Sequence, residues 1–389
     1  MKKILFVHHA VGWGGAPKCM INLINELKKE NYNITVLLLR ESIICEKLKE
    51  NEIQYEIASS NFYKKYYQFF PHSEAGYIKW YQVFSFIKLS IIWLLSRYYF
   101  AKKELANLEF DIVHLNSSVL TDFIIPSKYF GKVIIHIREP FRKGKIDLLH
   151  YFFRNQINKV HSIIAISKDN AQRLNLIGKT SVIYDFYKSK NEFVDTSSYK
   201  SKKYLYLGGS STSKGFYTLV DSLNELDDDI IIQFAGHYAE CNKRNQLYQV
   251  LFNLFTNCKN RNVAIKKIKS HPNAEYLGLI HNIDKYLNEA CCLISPFIVS
   301  HFSFPVVEAN LNYKPVIASN IKGMEEQITH NQTGFMVKKN SSKELAAIIN
   351  KTSVNPAILK TYGYNANKDA RGKYDLSNIN FFLSIYRNI

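Results

Sequence analysis

Residues 204–216 read YLYLGGSSTSKGF, and this stretch sets a pattern that the rest of the chain repeats. Residues 204–207 are an apolar run without polar alternation, which predicts a strand buried on both faces of a sheet. Gly208 and Gly209 open a loop of small residues, and Lys214 follows where a helix is expected to begin. The stretch therefore predicts a β-loop-α unit with a lysine at the carboxyl end of a parallel strand, where ligands of such sheets bind.

Short apolar runs and helical patterns alternate in the same way through all 389 residues. In the first half, the expected strands are residues 3–7, 34–39, 111–115, 133–137, 162–166 and 181–184. In the second half, they are residues 204–207, 230–235, 276–279, 292–295, 315–319 and 334–337. Because helices separate nearly all of them, the pattern predicts parallel sheets with right-handed crossovers, and hence doubly wound α/β domains.

The chain is long enough for two such domains, and 47% of its residues are hydrophobic. The polar segment 185–203 separates the two series of strands and is the expected linker. We therefore expect a first domain over residues 1–188 and a second over 189–373. Residues 374–389 form a C-terminal helix, for which a return to the first domain is one option.

The charge of the chain indicates an anionic partner. The formal net charge is +18, and residues 1–190 hold 28 Lys and Arg against 16 Asp and Glu. Without a nucleic-acid-binding motif, we expect lipid or phosphate as the partner and no nucleic acid. The six cysteines form no CxxC pair, which favours reduced thiols in a cytoplasmic protein.

One helical segment, residues 77–100, has two open interpretations. Apolar residues recur there at helical spacing, at Trp80, Phe84, Ile87, Ile91, Leu94 and Tyr98. Lys88 and Arg97 interrupt the apolar run, so we do not expect it to span a bilayer. The segment is either an amphipathic helix packed on its own sheet or a peripheral contact with an anionic membrane, on the inner face of the cytoplasmic membrane.

The first strand runs into a glycine loop. Gly14 and Gly15 precede Pro17, which suits the first turn of a helix. Backbone amides at such a helix start favour anions, so we expect a phosphate or acceptor loop. A nicotinamide fingerprint would need glycine in place of Pro17, and a tight structural turn is the remaining alternative.

A second group of candidates follows the strand at residues 133–137. His136, Arg138 and Glu139 lie at the carboxyl end of this buried strand, where charged side chains point towards ligands. We therefore expect Arg138 and Glu139 to be catalytic, together with Lys214 of the second domain, and His136 to belong to the acceptor or phosphate loop. A surface ion pair is the alternative.

The second domain offers the donor-site candidates. Lys214 at a helix start suits charge stabilisation on a leaving diphosphate, and a solvated lysine is the alternative. A second loop and helix start supply further candidates at Ser300, His301, Phe302, Ser303 and Phe304. Backbone amides there can hold phosphate, and Glu308 one turn later can accept two hydrogen bonds from ribose hydroxyls. Glu308 otherwise only favours the helix dipole.

A metal site is not expected. The run Asp227-Asp228-Asp229 matches a DxD pattern, but it precedes the strand at residues 230–235 instead of following one. A solvated turn explains it better.

Several of these stretches together resemble the large family 4 of retaining glycosyltransferases, and the similarity runs through most of the chain. They are Gly14-Gly15-Ala16, the strand end IIAISK that finishes at Lys168, the KGF stretch from Lys214 with Leu219, PVIAS from Pro315 and TGFMV from Thr333. Three positions depart from the family pattern. Ser300 replaces the first of two glutamates separated by seven residues, His301 replaces a glycine, and Gly209 replaces an arginine.

The resemblance implies a GT-B architecture, in which two Rossmann-like doubly wound domains face each other across a cleft. The first domain would then bind the acceptor, with Gly14, Gly15, Arg138 and Glu139 lining the cleft. The second would bind the donor, with Gly208, Gly209, Ser210 and the residues 300–304 around it. Glu308 would hold the ribose, and Lys214 and the amides around Ser303 and Phe304 would stabilise the leaving diphosphate.

The function implied is that of a retaining, metal-independent glycosyltransferase of the hexosyltransferase type. It would move sugar from a nucleotide-diphosphate sugar, a co-substrate and not a cofactor, onto a glycan or lipid-linked acceptor in bacterial-type surface polysaccharide synthesis. Two alternatives stay open. One is a catalytically inactive GT-B protein that serves as a binding or partner subunit, and the other is a GT-B nucleotide-sugar epimerase.

Overall fold

The computed structural model describes residues 2–74, 76–78, 82–142, 147–187, 195–238, 258–280 and 282–389. The chain divides into two compact units. The first comprises Met1–Lys188 together with Tyr374–Ile389, and the second comprises Ser189–Lys373. The C-terminal helix therefore belongs to the first unit.

The first unit is built on a parallel sheet of seven strands in the order β3-β2-β1-β6-β7-β8-β9. These strands are β1 (Lys3–His8), β2 (Asn33–Leu38), β3 (Gln54–Ile57), β6 (Ile112–Leu115), β7 (Lys132–Ile137), β8 (Ser162–Ala165) and β9 (Thr180–Val182). A separate antiparallel hairpin pairs β4 (His72–Ser73) with β5 (Gly76–Tyr77). The strand order reverses between β1 and β6, which makes the carboxyl edge there a topological switch point.

Helices cover both faces of this sheet, as its two separate hydrophobic clusters show. The α-helices are Gly15–Lys29, Ile43–Glu50, Val83–Leu95, Ala101–Leu105, Ile124–Lys128, Leu148–Ile157, Lys168–Leu174 and the C-terminal Ile379–Asn388. Alternate residues of β1 serve opposite faces, with Leu5 in one cluster and Phe6 in the other. The C-terminal helix completes the second face, where Tyr386 Oη lies 2.5 Å from His114 Nδ1.

The second unit has a six-stranded parallel sheet in the order β12-β11-β10-β13-β14-β15. Its strands are β10 (Lys203–Tyr206), β11 (Ile231–Ala235), β12 (Ala274–Gly278), β13 (Cys292–Ser295), β14 (Val316–Ser319) and β15 (Gly334–Val337). Its α-helices are Phe216–Ser222, Cys258–Ser270, Ile283–Glu289, Phe304–Leu311, Ser342–Ser353 and Pro356–Lys373. Here the order reverses between β10 and β13, so the loops after these two strands border the switch point.

The doubly wound α/β class predicted from the sequence is confirmed in both units. Every predicted strand is present, with ends that match the prediction or differ from it by one or two residues. The sequence analysis missed β3 and the hairpin. The reason is that β3 is a short edge strand with exposed Gln54 and Glu56, whose polar residues hide the apolar signal, and each hairpin strand has two residues.

The helical segment expected at residues 77–100 begins later and continues further. It comprises Val83–Leu95, a π-helical turn at Ser96–Phe100 and Ala101–Leu105, while Trp80 lies outside the described residues. The described residues of the predicted apolar stripe do not pack on the sheet but face solvent. Leu89, Ile92 and Trp93 enter the core instead. Among the described residues, one helix, Val83–Leu105, is long enough and apolar enough to cross a membrane.

The hairpin strand β4 supplies a pH-sensitive group. Burial lowers the pKa of His72 to about 4, and the ring packs between Phe141 and Phe153 at centroid distances of 4.6 and 4.7 Å. In the unfolded chain a histidine titrates near pH ~6.5. The unfolded state therefore binds a proton that the folded state resists, and stability falls as the pH is lowered through this window, by about 1.4 kcal/mol for each pKa unit.

We expect His72→Phe to reduce the loss of stability between pH 7 and pH 5. All three tryptophans lie in the first 93 residues, so urea unfolding followed by tryptophan fluorescence reports on the first unit. His161→Phe, at an exposed histidine of the same unit, is the matched control and should change the pH dependence less. Equal pH dependence in parent and His72→Phe would contradict the assignment.

Candidate functional site

The switch point of the second unit brings together the loops that follow β10, β13 and β14. The Ile298 amide donates to the Ser213 carbonyl at 3.0 Å, which joins the loop after β13 to the one after β10. The His301 amide donates to the Lys322 carbonyl at 3.1 Å and joins the loop after β14. The sequence-predicted residues Gly208–Lys214 and Ser300–Phe304 thus lie in neighbouring loops of one sheet edge.

Two glycines make this close packing of loops possible. Gly209 has a φ of +56°, and a Cβ there would lie 2.4 Å from the His237 carbonyl oxygen. Gly215 has a φ of +76°, and a Cβ there would lie 1.8 Å from the Pro296 carbonyl oxygen. Backbone that approaches this closely, at positive φ, excludes other residues. Gly209, where the resembling family has arginine, is therefore required by the shape of this loop.

Lys214 lies at the end of a short 3₁₀ turn, Thr212–Lys214, and is partly exposed. Burial lowers the pKa of its ammonium, and no carboxylate among the described residues pairs with it. The nearby ammonium and, above all, burial lower the pKa of His301 to about 3, so this imidazole is neutral at physiological pH. The His301 ring stacks on Phe297 at a centroid distance of 4.2 Å. The result is a cation without a counter-charge beside a neutral, fixed imidazole.

The helix Phe304–Leu311 starts from the loop that contains His301. Its N-cap residue Ser303 is bridged by the Gln327 side chain, which accepts from the Ser303 amide at 2.8 Å and donates to its carbonyl at 2.8 Å. The Ser303 amide is therefore occupied and is not available to a diphosphate, in contrast to the expectation from the sequence. Glu308 lies one turn into the helix and is 3% exposed.

Ser210, Phe302 and Phe304 are buried beside these groups and hold the loops in place. Ser210 donates from its amide to the His237 carbonyl at 3.0 Å. Phe302 and Phe304 are each less than a tenth exposed. Ser300, at the position of the family's first glutamate, is partly exposed.

The carboxyl edge of the first unit holds a buried polar network. The Arg138 guanidinium donates to Asp185 Oδ2 at 2.7 Å and to Asn116 Oδ1 at 3.0 Å, and it lies 3.3 Å from His136 Nδ1. Both members of the ion pair are nearly inaccessible, with side chains 5% and 10% exposed. Arg138 was expected to be catalytic and His136 to contact a ligand. In the structure both side chains are buried, and their surroundings are other protein groups.

Glu139 is placed differently, since it is partly exposed. Its carboxylate accepts from the hydroxyls of Ser117 and Ser118, both at 2.7 Å, and from the Ser118 amide at 3.1 Å. His9, at the end of β1, lies close enough for the Glu139 charge to oppose the lowering of its pKa by burial. Glu139 is therefore a fixed carboxylate at the first unit's switch point, with a histidine beside it.

The glycine loop after β1 reaches the same edge. Gly14 is the N-cap of the helix Gly15–Lys29, and a Cβ at Gly14 would meet nothing within 4 Å. Gly14 is exposed, so the helix start is open to solvent. An exposed helix N-terminus of this kind favours anions, and the role of Gly14 and Gly15 as a phosphate or acceptor loop stays a prediction.

Sequence reasoning missed Gln327, Asp185 and His9. Gln327 is 24 residues from Ser303, and Asp185 is 47 residues from Arg138, so neither pairing leaves a local signal. The position of His9 directly after a buried strand is a signal that would have found it. Among the described residues, no cluster of three His, Cys, Asp or Glu suited to a metal ion is found.

Comparison with known proteins adds to this geometry. The family model described as glycosyl transferases group 1 matches residues 188–369. The second unit matches the group 1 glycosyl transferases. A relative from Methanocaldococcus jannaschii, the uncharacterized glycosyltransferase MJ1178, is 25% identical over 219 residues, which are 55% of this chain and 56% of that protein. The capsular polysaccharide biosynthesis glycosyltransferase CapM of Staphylococcus aureus is 24% identical over 107 residues, 28% of each chain. The matches thus span about half or less of these relatives.

A solved structure covers the whole chain. Anabaena Alr3699/HepE, crystallised in complex with UDP and glucose, has a TM-score of 0.71 and 18% identity over 100% of both chains. The fold is GT-B. The comparisons thereby support the glycosyltransferase family suggested by the sequence at the level of group 1 and the GT-B fold.

The Arg138–Asp185 ion pair provides a test of the first unit's edge. Asp185→Ala leaves the guanidinium charge buried without its partner, which we expect to cost about 3–5 kcal/mol of unfolding free energy. Tryptophan fluorescence during urea unfolding measures this. Glu109→Ala, which breaks the exposed pair with Lys3, should leave the midpoint unchanged.

A double variant separates charge from shape. Arg138→Met with Asp185→Leu removes both buried charges and should recover most of the lost stability. An Asp185→Ala protein as stable as the Glu109→Ala control would show that the pair has no structural role.

Proposed function

We propose that the chain is a retaining glycosyltransferase that takes its donor, a nucleotide-diphosphate sugar, at the switch point of the second unit. The observation that carries this proposal is the unpaired Lys214 ammonium beside neutral His301, between the loops after β10 and β13. A cation in that place attracts a diphosphate, and ligands of such sheets bind at this edge. The group 1 family match to the second unit and the UDP complex of HepE support the same assignment.

Each group of the site has a role in this reaction. Negative charge develops on the diphosphate as the bond to the sugar breaks, and a fixed cation stabilises that charge. Lys214 supplies this cation without needing a metal. His301 is uncharged and held by Phe297, so its role is to shape the site and to donate or accept a hydrogen bond. Glu308 holds the ribose hydroxyls.

The first unit supplies the acceptor site in this proposal. Glu139 is oriented by Ser117 and Ser118, and its remaining acceptor capacity suits the hydroxyls of a glycan. The open helix start at Gly14 suits a phosphate on the acceptor. The match to a capsular polysaccharide glycosyltransferase supports a glycan or lipid-linked acceptor in surface polysaccharide synthesis.

A catalytically inactive partner subunit is the competing function, motivated by Ser300 in place of the family's glutamate. An inactive protein would bind UDP without turnover. Release of UDP from UDP-sugars by the parent chain, above the rate in its Lys214→Ala variant, separates the two functions.

Replacement of Lys214 tests its role as the cation of the donor site. Lys214→Ala should lower kcat for donor turnover by about a hundredfold or more while weakening donor binding less. The affinity for UDP, measured by calorimetry, should fall as the pH rises and Lys214 loses its proton. Because the pKa of Lys214 is lowered, this fall should begin at a lower pH than for an ordinary lysine, whose pKa is about 10.4. Lys214→Arg should abolish this pH dependence. The exposed Lys339→Ala is the control, and a Lys214→Ala rate within twofold of it would leave Lys214 as a surface charge.

A second prediction concerns Glu308 and the ribose. In the parent, 2′-deoxy-UDP or 3′-deoxy-UDP should bind more weakly than UDP, by about 1.5–3 kcal/mol for a hydrogen bond to a carboxylate. In Glu308→Gln this difference should shrink, because the two changes remove the same interaction. Calorimetry on the four combinations, with circular dichroism to check folding, makes the measurement. If the losses of affinity from Glu308→Gln and from the missing hydroxyl simply add, Glu308 does not contact the ribose and its role is structural.

A further inference from the structure

An apolar surface lies on the first unit. It is formed by the helix Val83–Leu95 and the turn that continues it. Phe84 is 90% exposed and Tyr98 is 71% exposed. The residues of this apolar face recur at helical spacing and are all more than two fifths exposed: Phe84, Ile87, Ile91, Leu94, Leu95 and Tyr98. A surface of this kind marks an interaction site.

The opposite side of the helix is fixed to the unit. Leu89, Ile92 and Trp93 are part of the core, and Trp93 Nε1 donates to Thr121 Oγ1 at 3.0 Å. The Ser96 hydroxyl also donates to the buried Asp122 carboxylate. A helix held by these contacts presents one face along its length. Its length and composition would allow it to cross a bilayer, but a crossing would break these contacts with the core.

A second helix with exposed apolar side chains lies next to the first. The helix Leu148–Ile157 lies beside the first, with the Phe152 ring 5.4 Å from Trp93. Leu148 is 80% exposed and Tyr151 is 67% exposed. Two neighbouring helices therefore both expose leucine and aromatic side chains to solvent.

The charges around the apolar face are basic. Lys88, Lys102 and Lys103 are exposed, and the Arg97 guanidinium lies 4.9 Å from the Trp93 ring centroid. Residues 59–105 contain two acidic residues, Glu74 and Glu104, and both carboxylates have partners within the protein. Glu104 is buried and accepts from the Ser59 and Ser60 amides, and Glu74 pairs with Arg173. The charges of Lys88, Lys102 and Lys103 thus face solvent without compensating carboxylates from this segment, while Arg97 is partly buried and its charge acts on the buried Asp122.

We propose that the apolar face binds an anionic lipid bilayer, with its aromatic and aliphatic side chains at the level of the headgroups and acyl-chain boundary. The basic residues match the charge of anionic headgroups, and the apolar side chains supply a contact that salt does not screen. A second copy of the chain is the poorer occupant, because two such faces would bring like charges together. The proposal does not depend on transferase activity, and a lipid-linked acceptor would give it a purpose.

Vesicle flotation tests the proposal on the full chain. The probe is a phosphatidylglycerol–phosphatidylcholine vesicle, compared with pure phosphatidylcholine, each at low and high salt. The patch variant carries Phe84→Ser, Ile87→Ser and Ile91→Ser. The matched control carries Ile177→Ser, Leu279→Ser and Val354→Ser, which are exposed aliphatic residues elsewhere. Circular dichroism confirms that both variants fold.

The parent protein should float with anionic vesicles. High salt should weaken this binding without abolishing it. Binding to pure phosphatidylcholine vesicles should be weaker than binding to anionic vesicles. The patch variant should bind at least about tenfold more weakly at both salt concentrations, and the control should match the parent. A parent that stays unbound at low salt, or a control that loses as much binding as the patch variant, overturns the proposal. Dimerisation in sedimentation that only the patch variant loses, without vesicle binding by the parent, would assign the face to a second copy.

Discussion

The close approach of backbone to backbone around the loop after β10 is the constraint on which the candidate donor site depends. Gly209 approaches the His237 carbonyl, and Gly215 approaches the Pro296 carbonyl, each at a distance that no side chain tolerates. These two contacts fix the loop between its neighbours on both sides. The loop in turn places Lys214 beside His301, where burial shifts the pKa values of both groups down. A pair of glycines thus determines the electrostatics of the site.

The two units use their switch points differently. In the second unit, the Lys214 ammonium has no carboxylate partner among the described residues, which suits a site that receives an anion. In the first unit, the Arg138 cation is neutralised by Asp185 and enclosed, while the carboxylate of Glu139 stays accessible. A fixed acceptor of hydrogen bonds and an open helix start suit a hydroxyl-bearing or phosphorylated acceptor. The two edges therefore differ in the charge that each leaves accessible among the described residues.

The fold was readable from the sequence because strands buried on both faces leave continuous apolar runs, as at β1 and β13. The edge strand β3 was not readable, since half of its residues face water. Lys214 and Glu308 were predicted from their positions after strands, and the structure places them on the segments that follow β10 and β13. The enclosure of Arg138 was not found, because it depends on Asp185, which lies 47 residues away. The orientation of the helix Val83–Leu95 also could not be read. Both of its faces are apolar, and only packing decides that Leu89 and Trp93 are inside and Phe84 is outside.

The most direct measurement of the central claim is hydrogen exchange by mass spectrometry on the full chain with and without saturating UDP. A nucleotide at the second unit's switch point slows exchange of the amides that face it and of loops that it orders. The account predicts protection in peptides that cover residues 208–215 and 298–308, with the other strand-end loops of that unit little changed. Protection confined to the first unit, or none at saturating UDP, would contradict it.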